Sequence, residues 1–215
     1  GIGLSDSSIN SINANTIMAN RGAGVFLTRS SSNNVSGNNI VNNGYGIYLY
    51  SSSNNNSISE DTITSNTYHG ITLDSSSNSS ISGNDISANN VGIKFIDSSN
   101  NTLRGNSMAD NNYNFDVRGD SLSDFLHDVD VSNTIDSKPI YYWTNKTDST
   151  VPLDAGYIAL VNSTRMVVQN LSLTNNGQGI LLAYTTNSTI TQNNITNNYF
   201  GMRVWASSNN SIYHN

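Results

Sequence analysis

Acidic side chains grouped around one histidine are the residues of this sequence best suited to acid–base chemistry. Asp124, His127, Asp128 and Asp130 fall within a single short segment. Carboxylates cleave glycosidic bonds in pairs, one acting as acid and the other as base or nucleophile. The same segment also fits a solvated loop whose carboxylates cap backbone groups. These four residues are therefore candidate catalytic residues of a carbohydrate-active enzyme, with the capped loop as the alternative.

Aromatic residues offer a second kind of site, because flat rings on a rigid surface hold sugars by stacking. Tyr45, His69, Tyr113 and Phe200 share one recurring position, and further rings cluster after residue 140. The alternative is that several of these rings pack internally. The candidate carbohydrate-binding residues are Tyr45, Tyr141, Tyr142, Trp143, Tyr184 and Trp205.

Metal chemistry has little support in the residue types. The chain has no Cys, and its three histidines, His69, His127 and His214, stand far apart in sequence. Copper and zinc sites need clustered thiolates, thioethers or imidazoles. Asp74 and Asp97 follow equivalent apolar blocks, and two carboxylates one repeat apart would suit Ca²⁺. We predict no metal and no cofactor, with Ca²⁺ left open.

Sequons of the form Asn-x-Ser/Thr predict N-glycosylation of an extracellular protein. Several of them recur at the same place in the repeat, three residues before an apolar position. The candidate sites are Asn34, Asn55, Asn78, Asn100, Asn145, Asn187 and Asn209.

A repeat of 22–23 residues must position all of these groups. One apolar position recurs at Ile12, Val35, Ile58, Ile81 and Leu103, a second follows five residues later, and a third block reads Gly-apolar-x-apolar. Alternation of apolar and polar residues is typical of short strands. Stacked repeats of this kind pair equivalent strands and bury one continuous core. The sequence predicts an all-β fold, a right-handed parallel β-helix with three short strands per coil.

Asparagine recurs three residues after the second apolar position of every coil. Stacked Asn side chains can hydrogen-bond from coil to coil, and Asn tolerates the left-handed backbone of a sharp corner. We interpret this column as a structural ladder rather than as ligand-binding residues. Its members are Asn20, Asn43, Asn66, Asn89, Asn111, Asn176 and Asn198.

The repeat breaks once. We expect one β-helix domain over residues 1–215, with coils at 1–117, an insertion at 118–157 and coils at 158–215, as a segment of a longer protein. Within the insertion, Asp120 or Ser121 could cap a short helix. Residues 136–139 look like a turn, and residues 140–143 look like a strand that rejoins the β-helix.

Charge and hydropathy exclude two classes of partner. The net charge is −6, whereas a nucleic-acid surface needs a basic stripe. No apolar run approaches the roughly 20 residues of a membrane span. Coils that end without a cap leave unpaired strands, which predicts possible end-to-end self-association.

Four stretches carry a resemblance to a known family. Residues 36–49, Ser-Gly-Asn-Asn-Ile-Val-Asn-Asn-Gly-Tyr-Gly-Ile-Tyr-Leu, resemble the repeats of NosD-like proteins, also called carbohydrate-binding and sugar-hydrolase repeats. Residues 127–142, 156–164 and 170–180 resemble segments of archaeal cell-surface proteins of this type. The resemblance implies a β-helix, shared with pectin-degrading enzymes and alginate epimerases, and the NosD name implies a periplasmic copper-related role.

Three functions follow as expectations. The first is an extracellular, cell-surface structural module that binds carbohydrate or neighbouring surface proteins. The second is a carbohydrate-active enzyme, namely a polysaccharide lyase, hydrolase or epimerase. The third is a copper-related accessory protein of the NosD type.

Overall fold

The fold is a right-handed parallel β-helix, as predicted, and a computed structural model describes all residues from 1 to 215. The first stack of coils has three parallel sheets, A, B and C, with six strands each in sheets A and B. Sheet A contains Ile2–Ser5, Ala23–Thr28, Tyr45–Tyr50, His69–Asp74, Val91–Ile96 and Tyr113–Arg118. Sheet B contains Ser11–Asn13, Asn34–Ser36, Ser57–Ser59, Ser80–Ser82, Thr102–Arg104 and Asp128–Val129. Sheet C contains Thr16–Met18, Asn39–Val41, Thr62–Thr64, Asp85–Ser87, Ser107–Ala109 and Thr134–Ile135.

A second stack of coils begins at Lys138 and has three sheets of its own, A′, B′ and C′. Sheet A′ contains Lys138–Thr144, Tyr157–Val161, Gln178–Ala183 and Phe200–Trp205. Sheet B′ contains Val167–Gln169, Thr189–Thr191 and Ser211–Tyr213, and sheet C′ contains Ser172–Thr174 and Asn194–Thr196. The chain contains no helix with the length and apolar character needed to span a lipid bilayer.

The strand register confirms the predicted repeat. Ile12 of sheet B is level with Val35 of the next coil, and Ile17 of sheet C is level with Ile40. In sheet A, Val25 is level with Ile47. Each of these side chains is buried. The inward face of every short strand therefore adds one apolar residue to a column that runs along the stack.

The Asn column forms the predicted ladder. Nδ2 of Asn43 donates to Oδ1 of Asn66 at 3.2 Å, and the backbone N–H of Asn43 donates to the same oxygen at 2.9 Å. Asn66 and Asn89 repeat both bonds in the next coil. Each buried amide thus satisfies a backbone N–H that turns inward at the corner, where no strand partner exists. Equivalent ladders that the sequence analysis did not single out include Asn33, Asn56 and Asn101 at the corner between sheets A and B.

The left-handed backbone at the corners belongs to a different residue from the one expected. Ala19, Asn42, Ser65 and Ala88 have φ between 55° and 58°, and each directly precedes a ladder asparagine. The ladder residues themselves do not have positive φ. Their role is therefore to accept and donate hydrogen bonds, while the preceding residue makes the sharp bend.

Residues 118–157 depart from the repeat in length but continue its strand pairing. Ser121 caps a short 3₁₀ helix at Leu122–Phe125, which lengthens one turn, and Asp128–Val129 then pairs with sheet B. Asp136 and Ser137 form a tight turn with positive φ. The strand Lys138–Thr144 leaves this turn antiparallel to Thr134–Ile135 and starts the second stack. The predicted helix cap, turn and strand are all confirmed.

The two central strands of sheet A′, Tyr157–Val161 and Gln178–Ala183, are buried on both faces, and this joins the two stacks. Ile158 and Leu160 face the core of the second stack, whereas Tyr157 and Ala159 face the core of the first. The ring of Tyr157 packs edge-on against Phe115, with 5.1 Å between the ring centroids. The outer face of sheet A′ therefore covers the end of the first core. A sheet covered on both sides has apolar residues at successive positions, as Tyr157–Val161 does.

A further ladder, which runs through Asn15, Asn38, Asp61 and Asn84 at the corner between sheets B and C, carries an acid at Asp61 in place of an amide. Oδ1 of Asp61 accepts hydrogen bonds from the backbone N–H and Nδ2 of Asn38, at 2.7 and 2.9 Å. The other oxygen, Oδ2, is buried without a hydrogen-bond partner. Burial raises the pKa of the Asp61 carboxyl, although the bonds from Asn38 oppose the shift. An ionised Asp61 is therefore a weak point in the ladder at neutral pH.

We predict that Asp61→Asn stabilises the fold at pH 7 by about 1–3 kcal/mol, because the amide supplies the missing donor and removes a buried charge. A raised folded-state pKa means that Asp61 costs stability progressively as pH rises through that pKa. The gain should shrink towards pH 3, where wild-type Asp61 is protonated. Urea unfolding at both pH values measures it, and Asp85→Asn, at an exposed position of sheet C, is the matched control. Equal effects of the two substitutions at pH 7 would contradict the prediction.

Candidate carbohydrate-binding face

The outer face of sheet A carries side chains in rows that run from coil to coil. Cross-strand pairing places Tyr48, Thr72, Lys94 and Asp116 in one row. Tyr50, Asp74, Ile96 and Arg118 form the neighbouring row by the same pairings. Successive members of a row are about 4.8 Å apart, the ordinary spacing of hydrogen-bonded strands. The face is thus a flat, ordered surface, with aromatic residues in the early coils and charged residues in the later ones.

Four tyrosines form what we call the aromatic platform: Tyr45, Tyr48, Tyr50 and Tyr68. The rings of Tyr45 and Tyr48 stack with 5.0 Å between centroids, and Tyr68 lies 5.1 Å from Tyr45. Tyr50 and Tyr68 are exposed. The hydroxyl of Tyr48 donates to Asp74 at 3.2 Å, which fixes the ring. A rigid apolar surface with polar groups at its border is suited to stacking against sugar rings.

A cleft opens where this face meets the second stack, and we call it the junction cleft. It encloses about 160 Å³. The charged side chains Lys94, Asp116 and Arg118 line it from sheet A. The remaining lining residues are His69, Asn90, Val91, Tyr113, Gly177 and Tyr199. An open, Asn-lined hollow that includes Asn90, Tyr113 and Asn197 adjoins it. Both stacks therefore contribute to the concave part of the face.

Asp116 organises the charges in the cleft. Arg118 Nε donates to Asp116 Oδ2 at 2.9 Å, and Gln178 Nε2 of the second stack donates to Asp116 Oδ1 at 2.6 Å. Lys94 Nζ lies 3.6 Å from Asp116 Oδ2. The Asp116 side chain is buried, so its charge is held by neighbours rather than by water. Gly177 is required here because a Cβ at that position would lie 2.4 Å from Asp116 Cβ.

His69 lines the cleft, and its pKa lies well below the ordinary value of a histidine. Its Nδ1 lies 2.8 Å from Thr72 Oγ1. Burial lowers the pKa of His69 to about 4, and the positive charges of Lys94 and Arg118 act in the same direction. The imidazole is consequently neutral at pH 7 and has one ring nitrogen able to accept a proton or a hydrogen bond.

The four candidate catalytic residues of the 124–130 segment all make contacts within the protein that stabilise the fold. Asp124 accepts the backbone N–H of Ser121 at 2.9 Å, as a helix cap. His127 is buried against Phe95, with 4.6 Å between ring centroids, and burial lowers its pKa to about 3. Asp128 and Asp130 form ion pairs with Arg104. The buried His127 cannot meet a substrate, so the four residues do not form one accessible group.

The candidate aromatic residues divide into exposed and internal rings. Tyr45 lies on the platform, as expected. Tyr142 is 5% exposed and donates its hydroxyl to the backbone carbonyl of Phe125 at 2.6 Å, so its prediction as a sugar-binding residue is wrong. Tyr184 and Trp205 pack against the first core. Tyr141 and Trp143 pack against the second core, and all four of these rings remain partly exposed.

The sequon asparagines in the candidate set are all exposed. Asn55, Asn78 and Asn100 stack in successive turns between sheets A and B, and Nδ2 of Asn100 donates to Oδ1 of Asn78 at 2.7 Å. Neighbouring positions this close leave room for a glycan on only some of them. Their glycosylation stays a prediction.

The two carboxylates of the candidate Ca²⁺ pair, Asp74 and Asp97, do not share one row of sheet A. Asp74 is level with Ile96 in sheet A, so Asp97 falls one residue later, in the following turn, and not in the same row. No group of three or more His, Cys, Asp or Glu side chains is arranged to hold a metal ion.

Comparisons with known proteins agree with this architecture. Residues 55–215 match the family model described as right handed beta helix region. The chain belongs to this family. Residues 1–60 match the model described as periplasmic copper-binding protein (NosD), in line with the resemblance seen in the repeats. No curated protein sequence matches the chain.

Two solved structures are similar to the chain. The periplasmic alginate epimerase AlgG superposes with a TM-score of 0.52 and 16% identity, over 99% of this chain and 48% of AlgG. The A-module of the Azotobacter vinelandii mannuronan C-5 epimerase AlgE4 superposes with a TM-score of 0.38 and 12% identity, over 98% of this chain and 57% of that module. The chain thus spans about half of AlgG, and the likeness to AlgG shows a shared β-helix fold.

Lys94, Asp116 and Arg118 were missed as site residues by the sequence analysis. Lys94 and Asp116 occupy the polar position between the two apolar residues of the Gly-apolar-x-apolar block, or its equivalent, and Arg118 follows two residues later. Aligning the blocks by repeat would have placed these charges on the outer face of sheet A. The contribution of Gln178 and Tyr199 could not have been found this way, because it depends on how the two stacks pack.

We predict that His69 titrates with a pKa of about 4, which NMR of the imidazole resonances can follow from pH 3 to pH 8. Lys94→Met should raise this pKa, since it removes a nearby positive charge. Lys138→Met, which removes a cation outside the cleft, is the control and should leave it unchanged. An ordinary histidine pKa in the wild-type protein would show that the cleft is more solvated than the structure indicates.

Proposed function

We propose that this chain is a carbohydrate-binding β-helix module of an extracytoplasmic protein. The observation that carries the proposal is the aromatic platform, a set of tyrosine rings held on the outer face of sheet A. The bound sugar chain would lie across the coils, with its rings on Tyr45, Tyr48 and Tyr68 and its hydroxyls directed to the polar groups of the junction cleft.

Rigidity supports this role. Tyr45, Tyr48 and Tyr50 lie on one strand, whose inward residues Ile47 and Leu49 are fully buried. Tyr68 directly precedes the next strand of sheet A, His69–Asp74. A surface that is ordered before binding loses little conformational freedom when the ligand arrives. Repeating strands also offer repeating contacts, which suits a polymer better than a single small molecule.

The proposed location is outside the cytoplasm, at the cell surface or in the periplasm. The name of one matched family model and the name of one similar solved structure include the word periplasmic, and exposed sequons are compatible with an extracellular surface. The proposed partners are carbohydrate and neighbouring surface proteins. End-to-end association of the stacks is also proposed, and the oligomeric state in solution tests it.

We predict that Tyr48→Ala weakens binding to a recognised oligosaccharide by roughly tenfold, because it removes the central ring of the platform. A glycan array would identify the oligosaccharide, and calorimetry would measure the affinity. Tyr213→Ala, at an exposed ring of sheet B′, is the matched control and should bind like the wild type. Failure of the wild-type protein to bind any array glycan would contradict the proposal.

A carbohydrate-active enzyme is the second candidate, and one observation favours it. The junction cleft brings a neutral imidazole, His69, close to Lys94 and to the phenol-bearing side chains Tyr113 and Tyr199. A neutral histidine can take a proton, and neighbouring cations can stabilise negative charge that develops on a substrate. The fold likeness to an alginate epimerase is compatible with this candidate.

If the chain is an enzyme of this kind, His69→Gln should abolish conversion of a polysaccharide substrate while the thermal melting curve stays unchanged. Asp128→Asn separates the two candidate sites, because it alters the 124–130 segment and leaves the junction cleft intact. Chromatography of the products and NMR of the sugar configuration would detect cleavage or epimerisation. Loss of conversion in Asp128→Asn but not in His69→Gln would assign the chemistry to the segment instead.

A further inference from the structure

The junction cleft holds more positive than negative charge, although the whole chain carries a net charge of −6. Lys94 and Arg118 line the cleft with one carboxylate, that of Asp116, and Asp74 of the neighbouring row acts on Lys94 from outside the cleft. The Lys94 and Arg118 side chains are 14% and 32% exposed, and the Asp116 side chain is 2% exposed. The two cations therefore border the open part of the cleft while the anion lies beneath them.

Asp116 cannot neutralise both cations fully. Its oxygens already accept hydrogen bonds from Arg118 Nε and Gln178 Nε2, and Lys94 Nζ stays at 3.6 Å. The terminal nitrogens of Arg118 and the ammonium of Lys94 make no hydrogen bond within the chain. Such groups are the usual partners of carboxylates, since a guanidinium presents parallel donors and an ammonium adds a point charge.

Aromatic rings orient the Arg118 side chain. Its guanidinium carbon lies 5.0 Å from the centre of the Tyr199 ring and 5.9 Å from that of Phe200. Both rings come from the second stack, whereas Arg118 is the last residue of its sheet A strand. The guanidinium is thus held between Asp116 and these rings, and its outer edge is available to a ligand.

From this arrangement we infer that the junction cleft is a carboxylate subsite, where the C6 carboxylate of a uronic acid binds between Lys94 and Arg118. The inference rests on the proposed carbohydrate binding and specifies its ligand as an acidic polysaccharide. Tyr48 and Lys94 are two steps apart in one row, a separation of about 10 Å at the ordinary strand spacing. A chain that stacks on the platform and places a carboxylate in the cleft must therefore contain several sugars.

The electrostatics of the neighbouring groups agree with an anion-binding role. Burial lowers the pKa of Lys94, with Asp116 opposing the shift and Arg118 adding to it. The low pKa of His69 has Lys94 and Arg118 among its causes. A bound carboxylate would offset this positive potential, so it should raise the pKa of His69.

The test uses matched pairs of β-linked tetrasaccharides in the manno, gluco and galacto configurations. Each pair has one neutral member and one member with every C6 oxidised to a carboxylate. We expect at least one acidic member to bind the wild-type protein about tenfold or more tightly than its neutral partner. That preference should weaken with added salt, and the bound acid should raise the pKa of His69.

Two variants of the cleft and one control variant test whether the carboxylate binds in the junction cleft. Lys94→Met and Arg118→Met should each remove most of the preference, measured as the ratio of the affinity for the acidic member to that for its neutral partner. Lys138→Met changes the net charge equally outside the cleft and should keep the preference. Thermal melts verify that each variant is folded, and the neutral tetrasaccharide reports on an intact platform.

Several outcomes would overturn the inference. A wild-type protein that binds neutral members as tightly as acidic ones keeps the proposed carbohydrate binding but loses the carboxylate subsite. A preference that survives both cleft substitutions, or that Lys138→Met removes equally, places the anion elsewhere. Tighter binding of a 6-O-sulfated tetrasaccharide than of its C6-oxidised counterpart would replace the carboxylate by a sulfate ester. No binding of any member would overturn the inference, and the proposed carbohydrate binding falls with it only when the glycan array shows no binding either.

Discussion

The hydrogen bond from a corner backbone N–H to the buried amide of the next coil is the interaction on which this structure depends. A coil of 22–23 residues turns three times, and each turn directs polar backbone groups inward, away from water and from any strand partner. Asn43, Asn66 and Asn89 satisfy these groups in succession. Without them, each turn would bury an unpaired donor at a cost of about 1–3 kcal/mol. The ladders thus make a narrow polar-cornered core compatible with a low hydrophobic content.

The ladder also explains why this family can carry different functions on one scaffold. The inward positions are committed to the core and to the amide columns, so they tolerate little change. The outward positions of sheet A carry no such constraint, and side chains such as Tyr48 and Lys94 project from them in fixed rows. A binding face can therefore be built by changing outward residues alone, while the coil geometry stays the same.

The junction of the two stacks adds a feature that a single uninterrupted solenoid lacks. The outer face of sheet A′ closes the first core and brings Gln178 and Tyr199 beside the last strand of sheet A. A flat face becomes concave at this point, and the charges of Asp116 and Arg118 are held by residues of both stacks. The segment between residues 118 and 157 matters chiefly because it turns the chain into this second stack, and less because of its own acidic side chains.

The repeat alone determined most of the fold. The strand order and register follow from three repeated features, namely the apolar periodicity, the glycine blocks and the asparagine present in each coil. These local features are sufficient because each coil of a stack contacts only its neighbours. Long-range packing decided the rest. Both Tyr45 and Tyr142 were predicted from the sequence to bind sugars. Tyr142 is buried in the first core, whereas Tyr45 lies on the outer platform. Lys94 and Gln178 meet around Asp116 only because the second stack folds back, a contact between segments that no local pattern encodes.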